Sequence, residues 1–300
     1  FLLLAPLQLL ALELTLALFF SFHQDYDVEM WRYSRDLKAP AADGRSHAHR
    51  PSVSANLMGT TITTNELGLR QSTPVTASPV LVLGDSFTLG WGVPEEQTFP
   101  ALLTKFCGGS FANGGVGNYN LQQIVAQAKT LTPLLRPREI LYAFYWNDAE
   151  PIQREPHNWL AHHSYLYLFW RKVQVRLLHY GLSPGSYRLY YEANYSGEGW
   201  EKFTAEATAL IAFARQEKIT LRVALLPELR IQNDEQVRAI YQKVENLFTS
   251  LQVPAFTVPL PPRAPAEYWV AADDPHPNSL AHAAFAQALA KKFWPACAKP

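Results

Sequence analysis

From about residue 80 onward the chain alternates two hydrophobic patterns. Short apolar runs at 80–83 (VLVL), 139–145 (EILYAFY), 219–226 (ITLRVALL) and 254–258, with a weaker one at 109–112, have the length and bounding turns of buried strands. Between them, 97–106, 121–131, 164–180, 200–217, 233–251 and 278–293 carry apolar positions at helical spacing, and Asn278 or Ser279 is suited to cap the last of these. Strand and helix in strict alternation predict a three-layer α/β/α domain with a mostly parallel sheet. One stretch breaks the alternation: 184–199 (PGSYRLYYEANYSGEG), with Trp200 directly after it. It reads as an aromatic insertion that either packs on the domain or faces a substrate.

The chain upstream of residue 80 has a different texture. Residues 1–22 (FLLLAPLQLLALELTLALFFSF) form one apolar run about as long as the roughly 20 residues that cross a bilayer. Glu13 in its middle costs about 2.5–3.5 kcal/mol on the insertion scale, and each Leu returns about 0.3–0.6. The ten leucines of the run therefore offset the acid narrowly. A membrane anchor is the reading adopted; a signal peptide and a buried core helix are its rivals. Arg32, Arg35 and Lys38 on its C-terminal side count mildly against export. Residues 36–78, rich in Ala, Pro, Ser, Thr, His and Asn, show no helical period, and 59–64 (GTTITT) looks extended. The expected organisation is thus an anchor at 1–22, a lead-in linker at 23–78 that packs on the domain, and the domain itself at 79–300.

Composition narrows the function. Lys+Arg and Asp+Glu are 26 each, so no surplus of cations exists to hold a nucleic-acid backbone. Charged residues are 17% and hydrophobic ones 48%, which excludes disorder as the main state. Two cysteines, Cys107 and Cys297, cannot build a disulfide scaffold or a cysteine-rich zinc site. His47 and His49 alternate as a strand pair could, but without a third ligand nearby they read as solvated loop residues. His157, His162 and His163 read as surface or core residues, although they follow a candidate site segment; His282 reads as structural.

Four segments carry candidate chemistry. The strand at 80–83 runs into Gly84-Asp85-Ser86, which places Ser86 at a strand's carboxyl end, where α/β sheets bind ligands; a helix starting behind it would turn N–H groups and a positive dipole end toward developing negative charge. Asp85 fixes that turn locally. Near the C-terminus, Asp273-Asp274-Pro275-His276 offers a carboxylate and an imidazole in one short loop, the base and orienting group that a serine nucleophile needs. Asn113-Gly114-Gly115 lets backbone N–H groups approach a ligand closely, and Asn147 puts an amide at another strand end; both suit an oxyanion.

These blocks, in this order, resemble the SGNH (GDSL-type) hydrolase superfamily over roughly residues 80–290, and 30–70 resembles the lead-in of membrane-anchored bacterial members. The resemblance implies Ser86 as nucleophile, His276 as base and Asp273, at Asp-x-x-His spacing, as the orienting acid in preference to Asp274. It implies an oxyanion hole from the Ser86 and Gly115 N–H groups and the Asn147 side chain, with no cofactor and no metal. Two positions depart from the pattern: Trp146, where glycine is common, could crowd the hole, and Asn118 stands where glycine is frequent. The implied activity is hydrolysis of a carboxylic ester, an O-acetyl group on a carbohydrate, by a membrane-anchored, periplasmic or extracytoplasmic domain. An acylated small molecule or polysaccharide is the partner, and nucleic acid is not. The alternatives are an O-acyltransferase acting on an envelope or exported polysaccharide and a carbohydrate-binding protein without turnover.

Overall fold

The computed structural model describes residues 4–72, 75, 79–152, 159–177, 186–231 and 233–297. In chain order its elements are α1 (Leu4–Phe19), α2 (Tyr26–Leu37), the hairpin β1 (Lys38–Ala41) and β2 (Ser46–His49), the hairpin β3 (Ser54–Leu57) and β4 (Thr60–Thr63), β5 (Val80–Gly84), α3 (Ser86–Leu89), α4 (Phe99–Cys107), β6 (Phe111–Gly115), α5 (Leu121–Leu135) and β7 (Glu139–Phe144). There follow α6 (Trp159–His163), α7 (Tyr165–Val175), α8 (Ser186–Asn194), α9 (Gly197–Gln216), β8 (Thr220–Leu225), α10 (Glu235–Ser250), β9 (Ala255–Thr257), β10 (Trp269–Ala271), β11 (Asp274–Pro277) and α11 (Ser279–Phe293).

The chain is α/β around a five-stranded parallel sheet in the order β6-β5-β7-β8-β9. Every residue of β5 is buried, as a central strand covered on both faces requires, and this is why its sequence is a continuous apolar run. The strand order reverses beside β5, so the loops after β5 and β7 diverge and leave a crevice at the sheet's carboxyl rim. Register aligns the rim, because Gly84 lies opposite Gly115 of β6 and Ala143 of β7. The helices α4 with α11, and α5 with α9, pair against this core. A disulfide joins Cys107, at the end of α4, to Cys297 beyond α11, closing a loop of 190 residues. Chain entropy assigns such a loop about 5 kcal/mol, of which proteins commonly realise about 2–4.

Upstream of β5 the chain is more ordered than a linker. Asp25 caps α2 by accepting from the Val28 N–H, and two short antiparallel hairpins follow. Tyr33 and Leu37 from α2, Leu57 and Ile62 from the hairpins, and Leu89 and Trp91 from beyond β5 form a second buried cluster. The four-residue strands are too short to show a period in Thr-, His- and Asn-rich sequence, and long-range packing makes them.

The apolar N-terminal run forms α1, a 16-residue helix. The described part of it is about 24 Å long, less than the hydrocarbon core of about 30 Å. Among the described residues no helix is long and apolar enough to cross a membrane, so the span expected over 1–22 is not found. Glu13 has a different role from a buried membrane charge: its carboxylate accepts from the Tyr165 and Leu166 N–H groups and the Ser164 hydroxyl, capping α7.

Candidate active site

Ser86 stands where β5 ends. Asp85 turns the chain and accepts from the Phe87 N–H at 2.9 Å, and Ser86 opens α3, which lasts four residues before Gly90 takes the left-handed conformation. One turn carries little macrodipole, so the helix-dipole contribution expected behind Ser86 is not available here. Gly84 has to be glycine, because a Cβ there would sit 2.2 Å from Thr88 Oγ1. Arg70, from the lead-in segment, holds the far side of the turn: its buried guanidinium donates to the carbonyls of Leu89, Gly90 and Val93. Burial pushes the Asp85 carboxyl up to about 6, against the pull of the Phe87 N–H, His276 and the Asn147 amide.

The imidazole arrives on the hairpin β10–β11. His276 Nε2 lies 2.9 Å from Ser86 Oγ, and its Nδ1 lies 2.6 Å from Asp274 Oδ1. The structure therefore corrects the choice of Asp273. Asp274 and His276 are two apart on one strand, so the period of two puts both side chains on one face. Asp273 lies in the preceding turn and is exposed. Asp274 Oδ1 also accepts from the His276 N–H, while Oδ2 accepts from the buried Trp91 indole at 2.8 Å. Burial would push the Asp274 carboxyl up, but the charge and hydrogen bonds of His276, with the Trp91 bond, hold it below the usual carboxylate range.

The oxyanion candidates divide. Asn147 lines the same cavity as Ser86, in a short turn after β7. Asp148 beside it points into the core, accepting from the Tyr142 hydroxyl at 2.6 Å and the Tyr145 N–H at 3.2 Å, and so fixes the turn that presents Asn147. Gly115 is corrected. Its N–H is already given to Asn113 Oδ1 at 3.0 Å, and a Cβ on it would meet the Leu89 nitrogen at 2.1 Å. Its role is to let β6 pass close beneath α3. The residues of this loop that do face the cavity are Asn118, exposed and at φ +66°, with Tyr119 and Asn120 after it.

A chain of hydrogen bonds holds the Asn118 loop. Gly117 N–H donates to the Tyr33 hydroxyl at 2.8 Å, that hydroxyl meets His49 Nε2 at 2.6 Å, and His49 Nδ1 meets the Gly68 carbonyl at 3.1 Å. On the other side, the Tyr119 hydroxyl donates to the His47 carbonyl at 2.6 Å, and His47 Nε2 lies 3.3 Å from the Gly117 carbonyl. His47 and His49 are thus buried structural residues, not solvated ones. Burial drives the His49 imidazole down to about 3 and keeps it neutral. No group of three His, Cys, Asp or Glu among the described residues is arranged to hold a metal ion.

Ser86, Asn118, Asn147 and His276 open into a cavity of 560 Å³. Its cover comes from α2, which sequence reasoning missed, and from the aromatic insertion, which it singled out as packing on the domain or facing a substrate. Tyr26, the first residue of α2, places its ring 5.6 Å from the His276 ring. Burial first, then the Asp274 charge, raises its hydroxyl pKa. Tyr187 and Tyr191 from the aromatic insertion form another wall, with Arg230 above the Tyr187 ring. All the aromatics of the insertion, whose residues 184 and 185 lie outside the described residues, pack on the core together with Trp200, and Tyr187 and Tyr191 also face the cavity. Trp146 does not crowd the hole, because it is fully buried and stacks on Tyr191 at 4.2 Å. The amphipathic pattern of α2 after the Asp25 cap was the available signal for Tyr26. His157 lies outside the described residues, His163 is bonded to the Trp159 carbonyl away from Ser86, and His282 is buried, accepting from the Phe99 N–H.

No protein-family model matches the sequence, and a search of curated proteins finds no match. Solved structures do resemble it. LAE5, an α/β hydrolase from the metagenome of Lake Arreo, is 16% identical over 76% of this chain and 99% of its own, with a TM-score of 0.47. A family two carbohydrate esterase from Cellvibrio japonicus is 15% identical over 79% of this chain and 66% of its own, at 0.45. A GDSL-like lipase from Bacteroides thetaiotaomicron is 12% identical over 71% and 86%, at 0.41. At these identities the likeness is one of fold, and the chemistry has to be read from the site itself.

Proposed function

We propose that this chain is a serine esterase in which Ser86, His276 and Asp274 act together on a carboxylic ester. The observation that carries the reading is the unbroken line Ser86 Oγ, His276 Nε2, His276 Nδ1, Asp274 Oδ1, with steps of 2.9 and 2.6 Å at the wall of an open cavity. Ser86 Oγ attacks the ester carbonyl carbon as His276 Nε2 takes its proton. The tetrahedral intermediate collapses by breaking the bond to the alcohol oxygen, and His276 returns the proton to that leaving alcohol. Water then attacks the acyl-Ser86 carbonyl with the same base, releasing the acid and restoring Ser86. Asp274 holds the imidazole tautomer and stabilises its cation. The Ser86 N–H, the Asn147 amide and the Asn118 N–H are the proposed oxyanion donors.

The polar wall of Asn118, Asn120, Tyr187 and Arg230 suits an alcohol bearing several hydroxyls, so a carbohydrate ester is the proposed substrate class. The same wall supports a second reading, acyl transfer to a sugar hydroxyl in place of water. Hydrolysis of 4-nitrophenyl acetate, with and without added oligosaccharide, tests both. Ser86→Ala is expected to abolish turnover with little change in Tm, and retained turnover in the pure variant rejects the nucleophile. Free acetate as the sole product under all conditions rejects the transferase.

An extracytoplasmic, membrane-attached location is proposed on two observations: a disulfide, which persists in oxidising compartments, and the exposed leucines of α1. Mass measurement of Cys107 and Cys297 after thiol alkylation, in protein from the membrane fraction, tests it; two free thiols there argue against it.

A further inference from the structure

Beside the Ser86 cavity lies a second, larger groove of 850 Å³ between α2 and α7, and nothing in the reaction above uses it. The two are continuous: Asp27, Met30, Asn118, Val175 and Arg176 line both. Their linings differ in kind. The Ser86 cavity is walled by hydroxyls, amides and charges, whereas the groove beyond Met30 and Val175 is faced chiefly by apolar groups, among them Trp31, Leu168 and Leu177.

The groove is built to keep its shape. The Trp31 indole donates to the Ala161 carbonyl at 2.5 Å and packs 5.0 Å from the Tyr165 ring, while Leu168 joins the cluster of Phe20, Val28 and Tyr165. Of the charged residues on its lining, Lys172 is paired with Asp27 and Arg35 with Asp36. Arg176, at the junction of the two spaces, makes no ion pair among the described residues.

We propose that this groove is the acyl subsite, and that the natural substrate carries a medium or long aliphatic acyl chain instead of acetyl. The inference rests on the esterase reading and deepens it. With the alcohol against the polar wall and the carbonyl at Ser86, the chain passes between Met30 and Val175 into the apolar groove. Arg176 at the neck then meets the carboxylate of the released acid. An acetyl group would leave the groove unused. Full burial of a methylene is worth about fourfold in affinity.

Two measurements decide it, one with turnover and one without. Across 4-nitrophenyl acetate, butyrate and octanoate, kcat/KM is expected to rise by at least about 100-fold, a partial harvest of the full burial of six added methylenes. Leu168→Trp, which fills the groove, is expected to lower the octanoate-to-acetate ratio at least tenfold. A flat chain-length series, or a ratio unmoved by Leu168→Trp in folded protein, overturns the proposal. Independently, calorimetry of dodecanoate with Ser86→Ala protein should show one site that weakens at least tenfold when Leu168→Trp is added. No binding, or binding indifferent to Leu168→Trp, overturns the subsite. Protein that hydrolyses no ester yet binds dodecanoate in the groove would reject the esterase reading and keep the subsite. Adsorption to neutral phosphatidylcholine vesicles without dodecanoate binding would mean that the α7 face meets a bilayer, and it overturns the proposal too.

Discussion

The rim that carries Ser86 and Asn147 and the cover that carries Tyr26, Tyr187 and the apolar groove meet in one cavity, yet they are held differently. The rim grows from β5 and β7, whose buried strands lie in register and leave each turn little freedom. The cover is made of α2, α7 and α8, which reach the site from outside the sheet through a few aromatic contacts and hydrogen bonds. The difference assigns chemistry to the rim and selectivity to the cover. Substitutions on the rim should therefore change kcat at nearly constant stability, and those on the cover should change which ester is preferred.

The largest expected effect separates two adjacent carboxylates. Asp274→Asn should lower kcat by about 10³–10⁴-fold, because the imidazole loses the group that fixes its tautomer. Asp273→Asn should stay within a few-fold, since its side chain is exposed in the turn. The reverse order would mean that the hairpin shifts when substrate binds. Next, Asn147→Ala should cost about 10²–10³-fold in kcat with KM little changed, as loss of one oxyanion donor does. A change confined to KM would move Asn147 from the rim's chemistry to the cover's binding.

Two smaller effects probe how the rim is held. Because the folded carboxyl of Asp85 is raised to about 6, its contribution to stability is complete below the unfolded value of about 3.9 and is lost as pH rises through 6. Because buried His49 and His282 shift stability the opposite way over the same range, the effect is read as a difference: between pH 4 and pH 6.5, urea unfolding of the protein should lose on the order of 2 kcal/mol relative to Asp85→Asn. Tyr33→Phe should cost about 1–3 kcal/mol by orphaning the Gly117 N–H, and should lower kcat modestly by loosening the Asn118 loop. An unchanged melting temperature in that variant would deny the Tyr33–His49 chain a structural role.

How much of this was legible follows the same division. The strands at 80–83, 139–145 and 219–226 and the segments that follow them could be read because buried parallel strands are written as local apolar runs. Ser86 and Asn147 are brought to one cavity by those runs, and His276 joins them on the β10–β11 hairpin. Asp274 was misread because the spacing Asp-x-x-His suggested a turn, whereas the residues form a strand in which the i, i+2 pair shares a face. Gly115 was misread because a glycine offers its N–H to a ligand and its missing side chain to a neighbouring backbone equally well in sequence, and here packing against Leu89 decides. Trp146 and the hairpins before β5 depend on partners 40 or more residues away or on strands of four residues, and no local pattern records those contacts.

The account stands or falls on whether Ser86 is an activated hydroxyl. The direct measurement is intact-protein mass after incubation of the full chain with a fluorophosphonate, followed by peptide mapping. The account predicts one adduct per chain, on Ser86, formed far more slowly in Asp274→Asn and absent in Ser86→Ala. A folded protein that gains no adduct, or gains it on another serine, would contradict it.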